Sequence, residues 1–336
     1  MRVAILAHGK FPDHAKTATG VMRYGNQDVV AVLDRERAGT SVREYADWLP
    51  DAPIVAGMED VEDVDALLIG IAPIGGGFDE SWREDVHNAL SRGCDVIAGL
   101  HDRLSSHEEF AALAAETGAT IEDVRVPSDD IGVAEGRADE VDATVIKTVG
   151  TDCSTGKFTT TFELVQELRD AGFDAAAIPT GQTGIMVEGW GEPVDAVVAD
   201  YVAGAVERMI LERGNEHEIL VVEGQGSLVH PAYSGVTCGM LHGAMPDGLI
   251  LCHDPRRQCV NGFERFPIPP LEKYARLYES VAAPVAASEI IGVATNTSQM
   301  NETAARLHLE DIESELGVPA ADVIRFGTDP LVDAIQ

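Results

Sequence analysis

The stretch GTDCSTGKFTT, residues 150–160, decides the fold of this 336-residue chain. The apolar run ATVIKTV, residues 143–149, comes before it and predicts a β-strand, and a helix is predicted to begin near Lys157. A strand, a glycine-rich turn and a helix N-terminus direct several backbone N–H groups toward one point, and a phosphate group binds there. The stretch therefore predicts a phosphate-binding loop, called the phosphate loop below, in an α/β protein.

The spacing within the phosphate loop departs from the common pattern. Five residues separate Gly150 from Gly156, where four are usual, and Phe158 follows the lysine where Ser or Thr normally ligates Mg²⁺. A phenyl ring cannot ligate a metal ion, although Thr159 could do so if the helix started one residue later. Asp152 and Glu223 could supply carboxylates, so magnesium stays open as an alternative. We assign no residue as a metal ligand.

Short apolar runs recur between stretches of helical periodicity, which is typical of α/β proteins with parallel sheets. We predict a Rossmann-like N-terminal domain, residues 1–140, followed by a P-loop parallel-sheet domain, residues 141–336. A polar stretch, residues 127–142, marks the crossing between them. The predicted strands cover residues 2–9, 27–34, 53–56, 66–71, 95–98, 143–149, 218–224, 247–253 and 284–290, and the helices discussed below cover residues 81–93 and 193–210.

The charge of the chain limits its partners. Asp and Glu number 57 against 24 Lys and Arg, which gives a formal net charge of -33. A phosphate backbone would be repelled by most of this surface, so we expect no nucleic-acid partner. The acidic residues are spread along the chain, which favours a halophilic protein whose self-repulsion is screened by a salt-rich cytoplasm. We expect small-molecule substrates and assembly into a homo-oligomer.

Targeting and redox signals point to the cytoplasm. No basic N-terminal segment precedes a long apolar stretch, and no run of eighteen uncharged apolar residues occurs, so we expect neither a signal peptide nor a membrane span. The five cysteines include no CxxC pair, which argues against a disulfide framework and a zinc knuckle. We therefore expect reduced thiols in a cytoplasmic protein.

The phosphate loop with its extra residue resembles the GTDxxxGK loop of the dethiobiotin synthetase and cobyrinate amidase group of P-loop enzymes. Thr151 and Asp152 occupy the TD pair of that motif. A second segment, VVEGQGS at residues 221–227, resembles the VEGAGG segment that those enzymes place at the end of a neighbouring strand. The resemblance implies a dethiobiotin-synthetase-like second domain.

Three longer stretches resemble a two-domain P-loop family that includes D-glutamate N-acetyltransferases. These are IAPIGGGFDESWREDVHNALSRGCDVIAGLHDRLS (residues 71–105), PTGQTGIMVEGWGEPVDAVVADYVAGAVE (179–207) and SLVHPAYSGVTCGMLHGAMPDGLILCHDPRR (227–257). The similarity covers nearly the whole chain. It implies transfer of an acetyl group from acetyl-CoA to the amine of D-glutamate.

Under this resemblance the phosphate loop would hold the pyrophosphate of coenzyme A without hydrolysis. Acetyl transfer also needs a base for the substrate ammonium and N–H donors for the thioester oxyanion. Glu223 and His230 are the candidate bases, and residues 224–227 are candidate donors. The cofactor-binding candidates are Gly150, Thr151, Asp152, Cys153, Ser154, Thr155, Gly156, Lys157, Phe158 and Thr159.

Local cations must bind the two carboxylates of D-glutamate. Arg256 and Arg257 are the candidates because arginine binds carboxylates bidentately, and Gln225 is assigned to substrate binding with them. A surface ion pair is the alternative role for the two arginines. His230, His242 and His253 have no metal-ligand spacing, so strand-end hydrogen bonding is favoured over a zinc site.

Two other functions remain open from the residues alone. One is an ATP- and Mg²⁺-dependent ligase or carboxylase of the dethiobiotin synthetase type, and the other is a nucleotide-binding regulator without turnover. In the first domain, APIGGGF at residues 72–78 is either a tight turn without a ligand or a backbone contact with phosphate or the partner domain.

Overall fold

The computed structural model describes residues 1–73 and 76–336. The chain forms two compact units, each made of two chain segments. The first consists of Met1–Pro127 and Gln182–Pro193, and the second of Ser128–Gly181 and Val194–Gln336. Residues 74 and 75 of the segment APIGGGF lie outside the described residues, so both interpretations of that segment stay predictions.

Strands and helices are numbered along the described chain. The strands are β1 (Arg2–Leu6), β2 (Asp28–Leu33), β3 (Thr40–Ser41), β4 (Pro53–Val55), β5 (Ala66–Ile69), β6 (Asp95–Ala98), β7 (Ile121–Asp123), β8 (Thr144–Gly150), β9 (Ala175–Ile178), β10 (Ile219–Val222), β11 (Gly248–His253), β12 (Cys259–Val260), β13 (Phe263–Pro267), β14 (Glu289–Thr295) and β15 (Ala320–Ala321). The helices are α1 (Lys16–Tyr24), α2 (Arg83–Ser91), α3 (Glu108–Thr117), α4 (Lys157–Asp170), α5 (Gln182–Glu188), α6 (Val202–Arg213), α7 (Ser234–Ala244), α8 (Leu271–Ala282), α9 (Glu302–Leu316) and α10 (Asp329–Asp333).

The first unit is built on one sheet in the order β3-β4-β2-β1-β5-β6-β7. All its pairs are parallel except β3 with β4, which is antiparallel. Strand β5 is buried along its whole length, as both faces of a parallel sheet require. Helix α5 returns to this unit and contacts α1, where the Thr17 and Thr183 hydroxyls lie 3.0 Å apart.

The second unit contains a parallel sheet in the order β15-β14-β11-β8-β10-β9. From central β8 the chain runs outward to β9, returns to β10, and then crosses to β11 on the opposite side of β8. The connections that lead to the strands on the two sides of β8 therefore run in opposite directions along the sheet. In open α/β sheets, ligands bind at the carboxyl ends of strands at such a switch point.

Most of the predicted elements agree with the structure. Strand β6 has the predicted bounds, and α2 lies within the predicted 81–93. Two predictions were wrong. Residues 284–288 are not a strand, because the N–H groups of Val285 and Ala286 donate to Ala282 O in a turn after α8, and the strand begins only at Glu289. The helix predicted from residue 193 begins at Val202, because the Val194 N–H is tied to Thr180 O.

No helix of the described chain combines the length and apolar character needed to cross a membrane.

Candidate functional site

Three segments that follow neighbouring strands meet at the carboxyl edge of the second sheet. The phosphate loop follows β8, residues 223–230 follow β10, and residues 254–257 follow β11. Hydrogen bonds tie them together: Gly224 N donates to Thr148 Oγ1 at 2.9 Å, and Thr151 N donates to Cys252 O at 3.0 Å. The parallel topology therefore brings the sequence-predicted site residues to one edge.

The phosphate loop has the backbone shape that binds anions. Ser154 and Gly156 have φ values of 54° and 100°, in the left-handed region, and α4 begins at the next residue, Lys157. Within the described chain, the N–H groups of Ser154, Thr155 and Gly156 find no hydrogen-bond acceptor. Successive unpaired N–H groups at a helix N-terminus form a concave site for a phosphate.

Lys157 adds a positive charge to this site. Its side chain is buried, and Nζ donates to Asp152 O at 2.8 Å. A Cβ at Gly150 would lie 2.8 Å from that Nζ atom, so glycine at this position leaves room for the ammonium group. Lys157 therefore folds back over the loop.

Two buried tyrosines of α8 donate hydrogen bonds to the loop. Tyr274 Oη donates to Thr151 O at 2.6 Å, and Tyr278 Oη donates to Gly150 O at 2.7 Å. Burial raises the pKa of both phenols, that of Tyr278 to about 12, so each stays a hydrogen-bond donor at neutral pH. Both side chains belong to the apolar core between α8 and the sheet. The loop is thus anchored to the core at two consecutive carbonyls.

The carboxylate of Asp152 is fully buried and accepts three hydrogen bonds. Its Oδ1 accepts from Cys153 N at 2.7 Å, and its Oδ2 accepts from Arg257 Nη1 and Asn261 N, both at 2.8 Å. Arg256 forms a bidentate pair with Asp254 at 2.8 and 2.6 Å. Both candidate arginines therefore lie in ion pairs, and their assignment to substrate binding stays a prediction.

Glu223 fastens the turn that follows β9. Its buried carboxylate accepts from Thr180 N at 3.1 Å and from Gly181 N at 3.2 Å, both through Oε2. Gln225 Nε2 donates to Thr180 Oγ1 at 3.4 Å, so it contacts the same turn. The Gly224 N–H is already bound to Thr148, which leaves residues 225–227 as the candidate oxyanion donors.

His230 lies buried in an aromatic setting. Its ring stacks on Tyr233 at 4.5 Å and meets Phe263 edge-on at 5.2 Å between centroids. Nδ1 accepts from Ala232 N at 3.1 Å, so the neutral ring carries its proton on Nε2. Burial lowers the pKa of His230 and favours this neutral form. A base role would require the Ala232 hydrogen bond to break, whereas a donor role for Nε2 requires no change.

Asp152, Cys153 and His230 form one group with metal-ligand chemistry. One ligand atom from each lies within 4.8 Å of the others. Arg257 on Asp152 opposes a bound cation. Burial raises the pKa of Cys153, so its thiol is protonated at neutral pH and is a poor metal ligand. The donor set does not fit a metal ion well, and we assign none to it.

The position after the loop lysine belongs to the core. Phe158 is 4% exposed, and its ring lies 4.8 Å from that of Phe162. Helix α4 starts at Lys157 itself, so the later start that Thr159 would need for the magnesium position does not occur. The Mg²⁺ ligand of an ATP-hydrolysing loop therefore has no counterpart at residue 158.

The other two histidines make separate hydrogen bonds. His242 Nε2 lies 2.8 Å from Val281 O, and His253 Nδ1 lies 3.1 Å from Thr151 Oγ1. Burial lowers the pKa of His253 to about 4, so this ring is neutral. Both therefore have the hydrogen-bonding role that their spacing favours.

A cavity of about 260 Å³ adjoins the phosphate loop, and most of its lining residues were not among the predicted site residues. Thr155, Gly156 and Thr159 line it. Residues from the segments after β14 and β15, including Asn296 and Arg325, line it as well. The polar run NTS after an apolar strand was the available signal, since such runs mark strand ends at which ligands bind.

Comparisons with known proteins cover both halves of the chain. Residues 132–332 match the "DUF1611_C" P-loop domain, and residues 35–127 match the "DUF1611_N" Rossmann-like domain, both described as domains of unknown function. A D-glutamate N-acetyltransferase of Tritonibacter scottomollicae is 39% identical over 338 aligned positions, which cover 98% of this chain and 97% of that protein. A protein of the same name from a Pseudoalteromonas species is 33% identical over 79% of this chain and 80% of its own length.

The fold has a close match among solved structures. The crystal structure of a DUF1611 family protein from Anabaena variabilis superposes with a TM-score of 0.93 at 38% identity. The match covers 99% of this chain and 98% of that one. The predicted fold, a Rossmann-like domain followed by a P-loop domain, is confirmed, and the chain belongs to the DUF1611 family.

Proposed function

We propose that this protein is an N-acetyltransferase that moves the acetyl group of acetyl-CoA to the amine of D-glutamate. The observation that carries the proposal is the 39% identity, over 98% of this chain, to a protein named D-glutamate N-acetyltransferase. A second protein with that name, at 33% identity, supports it independently.

The phosphate loop is compatible with a cofactor that is bound through phosphates and not hydrolysed there. The unpaired N–H groups of Ser154, Thr155 and Gly156 suit a pyrophosphate, and Lys157 supplies a cation beside them. Phe158 stands in the core where a Mg²⁺ ligand would be needed for phosphoryl transfer. These features favour coenzyme A over Mg-ATP as the ligand.

Acetyl transfer requires the substrate ammonium to lose a proton and the thioester oxygen to be held as it becomes negative. We propose Glu223 as the base and the Nε2–H of His230 as an oxyanion donor, in place of our first assignment of both residues as bases. The pantetheine arm of coenzyme A separates its pyrophosphate from its thioester. The acetyl group therefore reaches these two residues only if the arm folds back toward the loop.

A thermal-shift series separates this proposal from the ATP-dependent alternatives. Acetyl-CoA and CoA are expected to raise the melting temperature of the full-length protein, because a ligand that binds only the folded state stabilises it. Stabilisation by Mg-ATP and not by either coenzyme A species would contradict the proposal. Formation of N-acetyl-D-glutamate from acetyl-CoA and D-glutamate, identified by mass spectrometry, tests the reaction itself.

A further inference from the structure

The cavity beside the phosphate loop combines apolar walls with a few polar groups. Ala294 and Val323 supply apolar surface, and Thr159 and Asn296 supply a hydroxyl and an amide. Asn296 Oδ1 accepts from Ser298 N at 3.1 Å, so the side-chain oxygen is bound to the local backbone and the amide nitrogen carries the remaining donors. The volume of the cavity is about 260 Å³, and pockets that hold an entire small molecule usually have volumes of roughly 300 Å³ or more. The cavity therefore suits one part of a larger ligand.

Arg325 lines this cavity and is held in place without a carboxylate partner. Its Nη1 donates to Thr297 O at 2.7 Å, to Thr297 Oγ1 at 3.0 Å and to Met300 O at 3.1 Å. Its guanidinium lies 5.1 Å from the centroid of the Phe326 ring. Among the described residues, no direct ion pair involves Arg325, and its three side-chain hydrogen bonds all use Nη1, so Nε and Nη2 keep their donors. The Asp322 carboxylate also lines the cavity and reaches the Arg325 guanidinium through the Thr297 hydroxyl, which donates to Asp322 and accepts from Arg325.

A neighbouring arginine shows the contrast. Arg306 also lies over the Phe326 ring, at 4.5 Å, but its Nη2 is paired with Glu302 at 2.8 Å. The carboxylate nearest to Arg325 in sequence, Asp322, has both oxygens occupied by donors from Thr297 and from the backbone of Ile324 and Arg325. Asp322 thus shapes the loop that carries Arg325 and is not its ion partner.

We infer that this cavity binds the adenosine end of coenzyme A and that Arg325 binds the 3′-phosphate carried by its ribose. The inference rests on the proposed function, because it takes coenzyme A as the ligand of the phosphate loop. Residues of the phosphate loop and Arg325 line the same cavity. A coenzyme A molecule whose pyrophosphate binds at the loop would therefore place its ribose and base in the cavity and its 3′-phosphate beside Arg325.

The chemistry of Arg325 explains how the site would select this ligand. A guanidinium whose Nε and Nη2 atoms both keep N–H donors binds a phosphate bidentately, and such charge-assisted bonds are among the strong hydrogen bonds of proteins. ADP, ATP and dephospho-CoA all lack a 3′-phosphate. Arg325 would therefore distinguish coenzyme A from nucleotides that fit the phosphate loop equally well.

The test is calorimetric titration of the full-length protein with CoA, dephospho-CoA and ADP. The wild-type protein is expected to bind CoA about 10- to 100-fold more tightly than dephospho-CoA, as a charge-assisted hydrogen bond predicts. Arg325→Gln is expected to bind both with the affinity of the wild type for dephospho-CoA. Arg306→Gln, the matched control on the same aromatic ring, is expected to keep the wild-type preference.

Three results would overturn the inference: no preference in the wild type, an undiminished preference in Arg325→Gln, or no binding of CoA. The acetyl-transfer reaction separates this failure from failure of the proposed function. Transfer to D-glutamate by a protein that does not prefer CoA over dephospho-CoA would reject the Arg325 site alone. A clear preference for CoA without any transfer would reject the proposed reaction and leave the site in place.

Discussion

Arg257 Nη1 donates to Asp152 Oδ2 at 2.8 Å, and this bond joins the segment after β11 to the phosphate loop after β8. The Asp152 side chain has no exposed surface, and that of Arg257 is 21% exposed. Two backbone N–H groups complete the hydrogen bonding of the carboxylate. The loop is therefore held by the ion pair of Asp152 with Arg257 and by the hydrogen bonds of Tyr274 and Tyr278.

Arg257→Gln is expected to destabilise the protein by about 2 kcal/mol, because it leaves a buried carboxylate without its cation. Urea unfolding followed by circular dichroism measures the change. Arg256→Gln is the control. Arg256 is 48% exposed, and without it Asp254 still has a cation nearby, since Arg257 Nε lies 3.9 Å from Asp254 Oδ2. Equal stability losses in the two variants would contradict the role given to the Asp152 pair.

Lys157→Ala is expected to raise the KM for acetyl-CoA about tenfold or more while lowering kcat less. The ammonium group would bind the cofactor phosphates equally in the ground state and the transition state, and loss of such an interaction appears in KM. Steady-state kinetics with varied acetyl-CoA measures both constants. Lys273→Ala, at an exposed lysine of α8, should leave both unchanged. An unaltered KM in Lys157→Ala would refute the contact.

Gly224→Ala is expected to destabilise the protein by about 3 kcal/mol, because the new Cβ would lie 1.9 Å from Thr148 O and 2.9 Å from Lys157 Cδ. The measurement is the free energy of unfolding in urea. Gly235→Ala in α7 is the control, because its Cβ meets open space and alanine favours helices by about 0.5–1 kcal/mol. A Gly224→Ala variant as stable as the wild type would contradict the need for glycine where this residue approaches Thr148 of β8.

Lys147 is a buried lysine on β8 beside the site. It is 1% exposed, and its Nζ has no hydrogen-bond partner among the described residues. Burial lowers the pKa of Lys147 from 10.5 to about 7, although the negative charge of Glu223 raises it. Between these two pH values the folded protein holds a neutral amine while the unfolded chain holds an ammonium ion.

This difference makes the stability cost of Lys147 depend on pH. The unfolded chain binds more protons between about pH 7 and pH 10.5, so stability rises with pH across that window. Lys147→Met is expected to stabilise the protein most at or below pH 7 and progressively less toward pH 10.5. Unfolding free energies at several pH values check this, with Lys273→Met as the exposed control. A gain that does not vary with pH would contradict the buried neutral amine.

The sequence was sufficient for the fold because its strongest signals are local. The run before Gly150 and the glycines after it need only neighbouring residues to define a strand, a turn and a helix start, and β8 and α4 follow them closely. The return of residues 182–193 to the first unit was not predicted. That packing depends on contacts such as Thr17 with Thr183, which are far apart in sequence.

The site was harder to predict than the fold, because charge partners are chosen in three dimensions. Arg257 and Asp152 are 105 residues apart, so the sequence showed two free-standing charges where the structure has a pair. The tautomer of His230 depends on the Ala232 N–H, which no pattern of residue types reveals. Arg325 was missed because it belongs to no motif and acquires its place only when β14 and β15 align.

The most direct test of the proposed reaction is the release of free thiol from acetyl-CoA by the purified full-length protein, with D-glutamate or L-glutamate as acceptor. The account predicts continuous thiol release that depends on D-glutamate and is much slower with L-glutamate. No release above the no-acceptor background with either enantiomer would contradict the assignment as a D-glutamate N-acetyltransferase.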